Sequence, residues 1–126
     1  MSAVPAQRTV AVLGASTKPD RYSNMAIRLL RDRGFRVLPV HPRLPEVEGI
    51  PAFASLEAIG ESVDTLTLYV AEFRLVPLMD AVVALKPGRV IFNPGTECRE
   101  LQHRLQAEGI PWLEACTLVL LQSGQF

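Results

Sequence analysis

The stretch from Thr9 to Asn24, TVAVLGASTKPDRYSN, constrains the fold more than any other part of the chain. Val10 to Leu13 is continuously apolar, the pattern of a central parallel strand covered on both faces. Gly14 can take backbone angles closed to other residues, which suits a tight turn directly after that strand. Ser23 can cap a helix over Ser23 to Arg33, with Met25, Ala26, Leu29 and Leu30 inward, Arg28, Arg31, Asp32 and Arg33 outward, and Gly34 as the stop. A strand, a phosphate-sized loop and a helix start predict an anion site, because the first amides of a helix carry partial positive charge. A phosphorylated ligand is therefore expected.

The remaining chain repeats the alternation. Phe35 to Val40 reads as a second strand running into the stiff turn Pro39-Val40-His41-Pro42-Arg43, and Glu46 to Ala54 reads as a connection. A short helical stretch from Ser55 to about Ile59 precedes a third strand, DTLTLYV, over Asp64 to Val70. Phe73 to Leu85 has Val76, Met79, Val82 and Val83 at helical spacing, with Pro77 tolerable in a first turn. Arg89 to Asn93 is a fourth strand, and Thr96 can cap a helix that places Cys98, Leu101 and Leu105 on one face. Ile110 to Glu114 is a fifth strand, and Thr117 to Leu121 is either a closing helical turn or a sixth strand. This order predicts an α/β fold: a doubly wound parallel sheet of about five strands, Rossmann-like, in a three-layer sandwich. Parallel strands joined by right-handed crossovers bring the first loop and the Val40–Arg43 turn to the same sheet edge, where open α/β folds bind ligands.

With 126 residues the chain is expected to form one compact domain over 1–126, with a short leader over Met1 to Arg8. Thirteen basic residues balance thirteen acidic ones, which argues against a general nucleic-acid or anionic-membrane binder. No apolar run approaches the about 18 to 20 residues that cross a bilayer, and MSAVPAQR lacks the apolar core of a signal peptide, so a cytoplasmic location is expected. Cys98 and Cys116 are not spaced as a redox or zinc motif, and His41 and His103 have no Cys or carboxylate partners at ligand spacing. Leu118 to Leu121 is apolar enough to suggest either homo-oligomer formation or ordinary packing of the last helix.

The first loop, GASTKPDRYS, lacks the second and third glycines of GxGxxG and the GK[ST] ending of a P-loop. The second strand ends in PVHPR, without the acidic residue that a dinucleotide site uses on a ribose hydroxyl. Arg43 could instead meet a ribose phosphate, which suits NADP and the 3′-phosphate of coenzyme A equally.

Taken in order, VAVLGASTKPDRYSN, RVLPVHPR, GIPAFASLEAI leading into VDTLTLYV, and VIFNPGTE resemble the small stand-alone CoA-binding proteins. Their domain is similar to the CoA-binding domain of the succinyl-CoA synthetase alpha subunit. The resemblance runs from Thr9 to about Cys116. It implies that Gly14, Ala15 and Ser16 form the phosphate-facing turn, completed by Arg21 and Ser23. It places Val40, His41 and Pro42 at the family's usual Val-Asn-Pro beside the adenosine. Tyr69 and Val70 correspond to the third-strand end that walls the ligand cleft, and Asn93, Pro94 and Gly95 to its fourth-strand counterpart. His41 replaces the more usual asparagine, and Asn93-Pro94 stands where relatives often have Gln-Pro. Lys18 and Arg43 are further candidate contacts, with simple solvated charge as their alternative. Cys116 matches a cysteine common near this point in relatives, either approaching a ligand thiol or merely buried.

No nucleophile here has a base and an orienting group evident in sequence. The synthetase that the chain resembles does its phosphoryl chemistry with a histidine in a second domain and with a partner subunit. The expected function is thus binding of coenzyme A or an acyl-CoA by a stand-alone, non-catalytic module, a sensor or carrier. The alternatives are an NADP-dependent oxidoreductase and a regulatory subunit that keeps the fold without ligand.

Overall fold

The computed structural model describes residues 8–126, so the leader expected over Met1 to Arg8 lies outside the described residues apart from Arg8. The elements are β1 (Thr9–Leu13), α1 (Tyr22–Asp32), β2 (Arg36–Val40), β3 (Glu46–Val47), β4 (Ile50–Pro51), β5 (Thr65–Leu68), α2 (Glu72–Leu75), α3 (Met79–Leu85), β6 (Arg89–Phe92), α4 (Arg99–Ala107), β7 (Trp112–Glu114) and α5 (Thr117–Gln122). Five strands form one parallel sheet in the order β2-β1-β5-β6-β7. This is the doubly wound, Rossmann-like α/β architecture, with the winding direction reversing between β1 and β5.

Alternation along β1 sorts the core into two halves. Val10 and Val12 pack with Ile27 and Leu30 of α1 and Leu121 of α5, whereas Ala11 and Leu13 pack with Leu75, Met79, Val82, Leu101 and Leu105 from α2, α3 and α4. Both halves are dry, with Val10, Ala11 and Val12 fully buried, as the continuous apolar run predicts for a strand covered on both faces. Thr117 to Leu121 is helical, and Leu121 is buried beneath it, so Val119 is the largely exposed apolar residue of that segment.

The expected connection over Glu46 to Ala54 contains a small hairpin, β3 paired antiparallel with β4. Its two turn residues, Glu48 and Gly49, both have positive φ, 53° and 76°, the requirement of the tight turn that matches strand twist. The single helix expected over Phe73 to Leu85 is divided into α2, a 3-10 turn at Val76–Leu78 and α3. Pro77 lies in that 3-10 turn, where its missing N–H and its ring do not support a continuous α-helix. Ser55 accepts from the Ala58 N–H and caps the short 3-10 turn Leu56–Ala58, close to the helical stretch expected there. Among the described residues no helix is long and apolar enough to cross a membrane.

Candidate functional site

At the carboxyl edge of the sheet, the chain leaves β1 for α1 on one face and leaves β5 for α2 on the other. Diverging connections open a crevice at such a switch point. Here it is a cleft of about 950 Å³, toward the upper end of the size range of small-molecule sites.

Its first wall is the β1–α1 loop. Gly14 has φ +91°, and a Cβ there would lie 2.8 Å from both the Tyr69 carbonyl oxygen and Val70 Cγ1, so only glycine lets the loop close on the end of β5. The Gly14 and Ala15 amides both donate to the Val40 carbonyl at 3.2 Å. They tie the loop to β2, and the donors left for a ligand lie further along. The N-cap of α1 is Arg21, which makes no side-chain capping bond, and the first turn holds no acidic residue. Ser23, expected as the cap, is instead the second helical residue, with a buried side chain. The turn closed by Arg21 N–H on the Lys18 carbonyl puts the N-cap two residues before Ser23. The first helical bond runs from Met25 N–H to the Arg21 carbonyl, so the amides of Tyr22, Ser23 and Asn24 have no intrahelical acceptor. Tyr22 and Ser23 line the cleft.

Asn24 braces this wall from behind. Fully buried, its Nδ2 donates to the Ser16 carbonyl at 2.9 Å and to Glu48 Oε2 at 3.1 Å, while its Oδ1 accepts from Arg28 Nε at 2.8 Å. Arg28 also donates to the Pro19 carbonyl, and Arg31 to the Glu48 carbonyl. The β3–β4 hairpin is thereby fastened to α1 and to both ends of the Ser16–Pro19 loop.

The second wall is the corner after β2. Val40, His41 and Pro42 line the cleft, and the His41 amide donates to the Phe53 carbonyl. His41 Nδ1 accepts the Arg43 N–H at 3.0 Å, which assigns the ring proton to Nε2 and leaves it as a donor. Arg43 itself is exposed and does not line the cleft.

Opposite lie the ends of β5 and β6. Tyr69, Val70, Pro94 and Gly95 line the cleft. The Tyr69 hydroxyl is buried and forms no well-aligned hydrogen bond, and burial pushes its phenol up to about 12, opposed by the nearby Thr117 and Thr67 hydroxyls, which bond each other at 2.8 Å. The Asn93 side chain does not reach the cleft. Its Nδ2 donates to Thr67 Oγ1 and the Leu68 carbonyl, and its Oδ1 accepts the Thr117 N–H, stitching β6 to β5 and α5. Thr96 donates its hydroxyl to the Asn93 carbonyl, and Cys98 is the N-cap of α4 without a side-chain bond, so Thr96 is not the cap expected for that helix. Cys116 is the N-cap of α5 and lies outside the cleft lining; both cysteines are free.

The fold thus brings every expected site residue to one cleft except Arg43 and Asn93. Among the residues it adds are Tyr22, Phe73, Arg74, Leu78 and Thr96. Phe73 follows the end of β5 at the same spacing as Lys18 follows β1, and Arg74 comes next, so the rule that ligands meet the carboxyl edge would have found them. Lys18, Arg21 and Arg74 supply the permanent charge of the lining, which includes no Asp or Glu, and none of the three is in an ion pair among the described residues.

Fold and cleft together define a Rossmann-like α/β domain with a cationic crevice at its switch point. The chain belongs to the CoA binding domain family, whose model matches residues 8–122. A solved structure of an uncharacterized protein is 38% identical, with a TM-score of 0.89, over 96% of this chain and 99% of that one. The uncharacterized protein YneT of Bacillus subtilis is 34% identical over 62 residues, 49% of this chain and 46% of that protein. The ADP-forming acetate–CoA ligase I of Archaeoglobus fulgidus is 36% identical over 70 residues, 56% of this chain and 10% of the ligase. The chain therefore spans about half the length of one curated relative and a tenth of the other.

Proposed function

We propose that the chain binds coenzyme A or an acyl-CoA in this cleft as a non-catalytic module, a cytoplasmic sensor or carrier. The pyrophosphate lies on the amides at the start of α1, between Lys18 and Arg21, and the adenosine lies toward the Val40–Pro42 corner. The observation that carries the reading is the uncapped start of α1, opening with Tyr22 and Ser23 into a cleft lined by cations and no carboxylate. Unpaired amides and a helix dipole without an acidic residue favour an anion there. The shared family favours coenzyme A as that anion. NADP is disfavoured because the β1–α1 loop keeps Gly14 alone of the dinucleotide glycines. The non-catalytic role rests on the cleft's side chains: no thiol, no carboxylate, and an imidazole whose Nδ1 is already engaged.

Isothermal titration of the purified chain with CoA and with NADPH tests the reading. Saturable binding of one CoA per chain, with NADPH much weaker, is expected; binding of NADPH but not CoA would overturn it. CoA-dependent ATP cleavage by the chain alone would overturn the non-catalytic part.

A further inference from the structure

We propose that Arg74, rather than Arg43, selects a second oxyanion on the ligand, separate from the pyrophosphate. The inference rests on the CoA-binding reading of the same cleft. Lys18 and Arg21 belong to the β1–α1 loop, whereas Arg74 belongs to α2, which follows β5 and packs on the opposite face of the sheet. The cleft's cations therefore form two groups on two different walls. A ligand with one anionic group would leave one of them unused.

Arg74 is also anchored. Its amide and that of Leu75 both donate to the Ala71 carbonyl, at 2.9 and 3.1 Å, and Leu75 is fully buried in the core. Its guanidinium carbon lies 5.4 Å from the centroid of the Phe73 ring, which also lines the cleft. Stacking on a ring orients a guanidinium while leaving its N–H fork available, and that fork matches two oxygens of a phosphate or carboxylate. No carboxylate holds Arg74 in an ion pair among the described residues. Arg43, by contrast, lies outside the lining, and among the described residues its guanidinium is neither stacked on a ring of the cleft nor held by one of its walls.

The oxyanion has two sources on this class of ligand: the 3′-phosphate of CoA, or the distal carboxylate of a dicarboxylic acyl thioester. The test titrates wild type, Arg74→Gln and Arg43→Gln calorimetrically with CoA, 3′-dephospho-CoA, acetyl-CoA and succinyl-CoA. Wild type is expected to prefer CoA over dephospho-CoA, or succinyl-CoA over acetyl-CoA, by about tenfold. Arg74→Gln brings that preference close to unity, and Arg43→Gln leaves it as in wild type. The pair whose preference collapses identifies the source. If wild type binds CoA but shows neither preference, or Arg74→Gln keeps the preference, or Arg43→Gln abolishes it, the inference is overturned while the CoA reading stands. If wild type binds none of the four, both fall. Circular dichroism of each variant confirms folding, which substitution of these exposed arginines is expected to preserve.

Discussion

Replacing Asn24 with alanine tests how the β1–α1 loop is held. The substitution removes three hydrogen bonds at once: to the Ser16 carbonyl, to Glu48 and from Arg28. A neutral hydrogen bond contributes about 0.5–1.5 kcal/mol net and one to a charged partner about 1.5–3 kcal/mol. Glu48 and Arg28 are only partly buried, so both regain water and their bonds count near the lower bound. The loss in stability is therefore about 3.5–4.5 kcal/mol. Part of it appears as loop freedom that a ligand must then remove, so CoA affinity falls about three- to tenfold as well. Urea unfolding with the denaturant slope held constant reads the first quantity, and calorimetry the second. A loss below about 1 kcal/mol together with unchanged CoA affinity would show that the β3–β4 hairpin does not organise the loop.

Gly14→Ala meets both a positive φ and a Cβ 2.8 Å from the Tyr69 carbonyl oxygen, so it should destabilise by about 2 kcal/mol or more in urea unfolding. Tyr69→Phe removes a buried hydroxyl that forms no well-aligned hydrogen bond and should leave stability within about 1 kcal/mol of wild type or raise it. Because the folded phenol is raised from 10.0 to about 12, wild type should lose stability as pH climbs through that interval, and the Phe variant should lose less. Glu61 is held below the usual carboxylate range by its hydrogen bond to Arg36, so its small stabilising effect is present above pH 4.5 and disappears as pH falls through the lowered pKa. Glu61→Gln should flatten that part of the acid unfolding profile.

The strands were legible because covered parallel strands leave continuous apolar runs such as Val10 to Leu13, and the order of elements along the chain then implies the layers. The lining of the candidate cleft was legible where backbone position decides it: the loop after β1, the corner after β2 and the ends of β5 and β6. Side-chain roles were harder to read. Ser23 has the chemistry of a cap, but the turn over Lys18 to Arg21 begins the helix earlier. Asn93 and Arg43 occupy expected segments, yet one side chain is consumed by Thr67, Leu68 and Thr117, and the other lies outside the cleft. The Asn93 outcome depends on partners 24 to 26 residues away, which local pattern does not encode. The turn at Glu48-Gly49 was hidden because glutamate rarely takes positive φ, and here Asn24 and Arg31 bind its side chain and carbonyl.

A ¹H–¹⁵N correlation spectrum recorded during titration with CoA tests the central claim most directly. The amides of Ser16, Tyr22, Ser23 and Asn24 should move the most, with smaller changes at His41 and Gly95. Largest shifts at the amino edge of the strands, or at the groove between α1 and α5, would contradict binding at the start of α1.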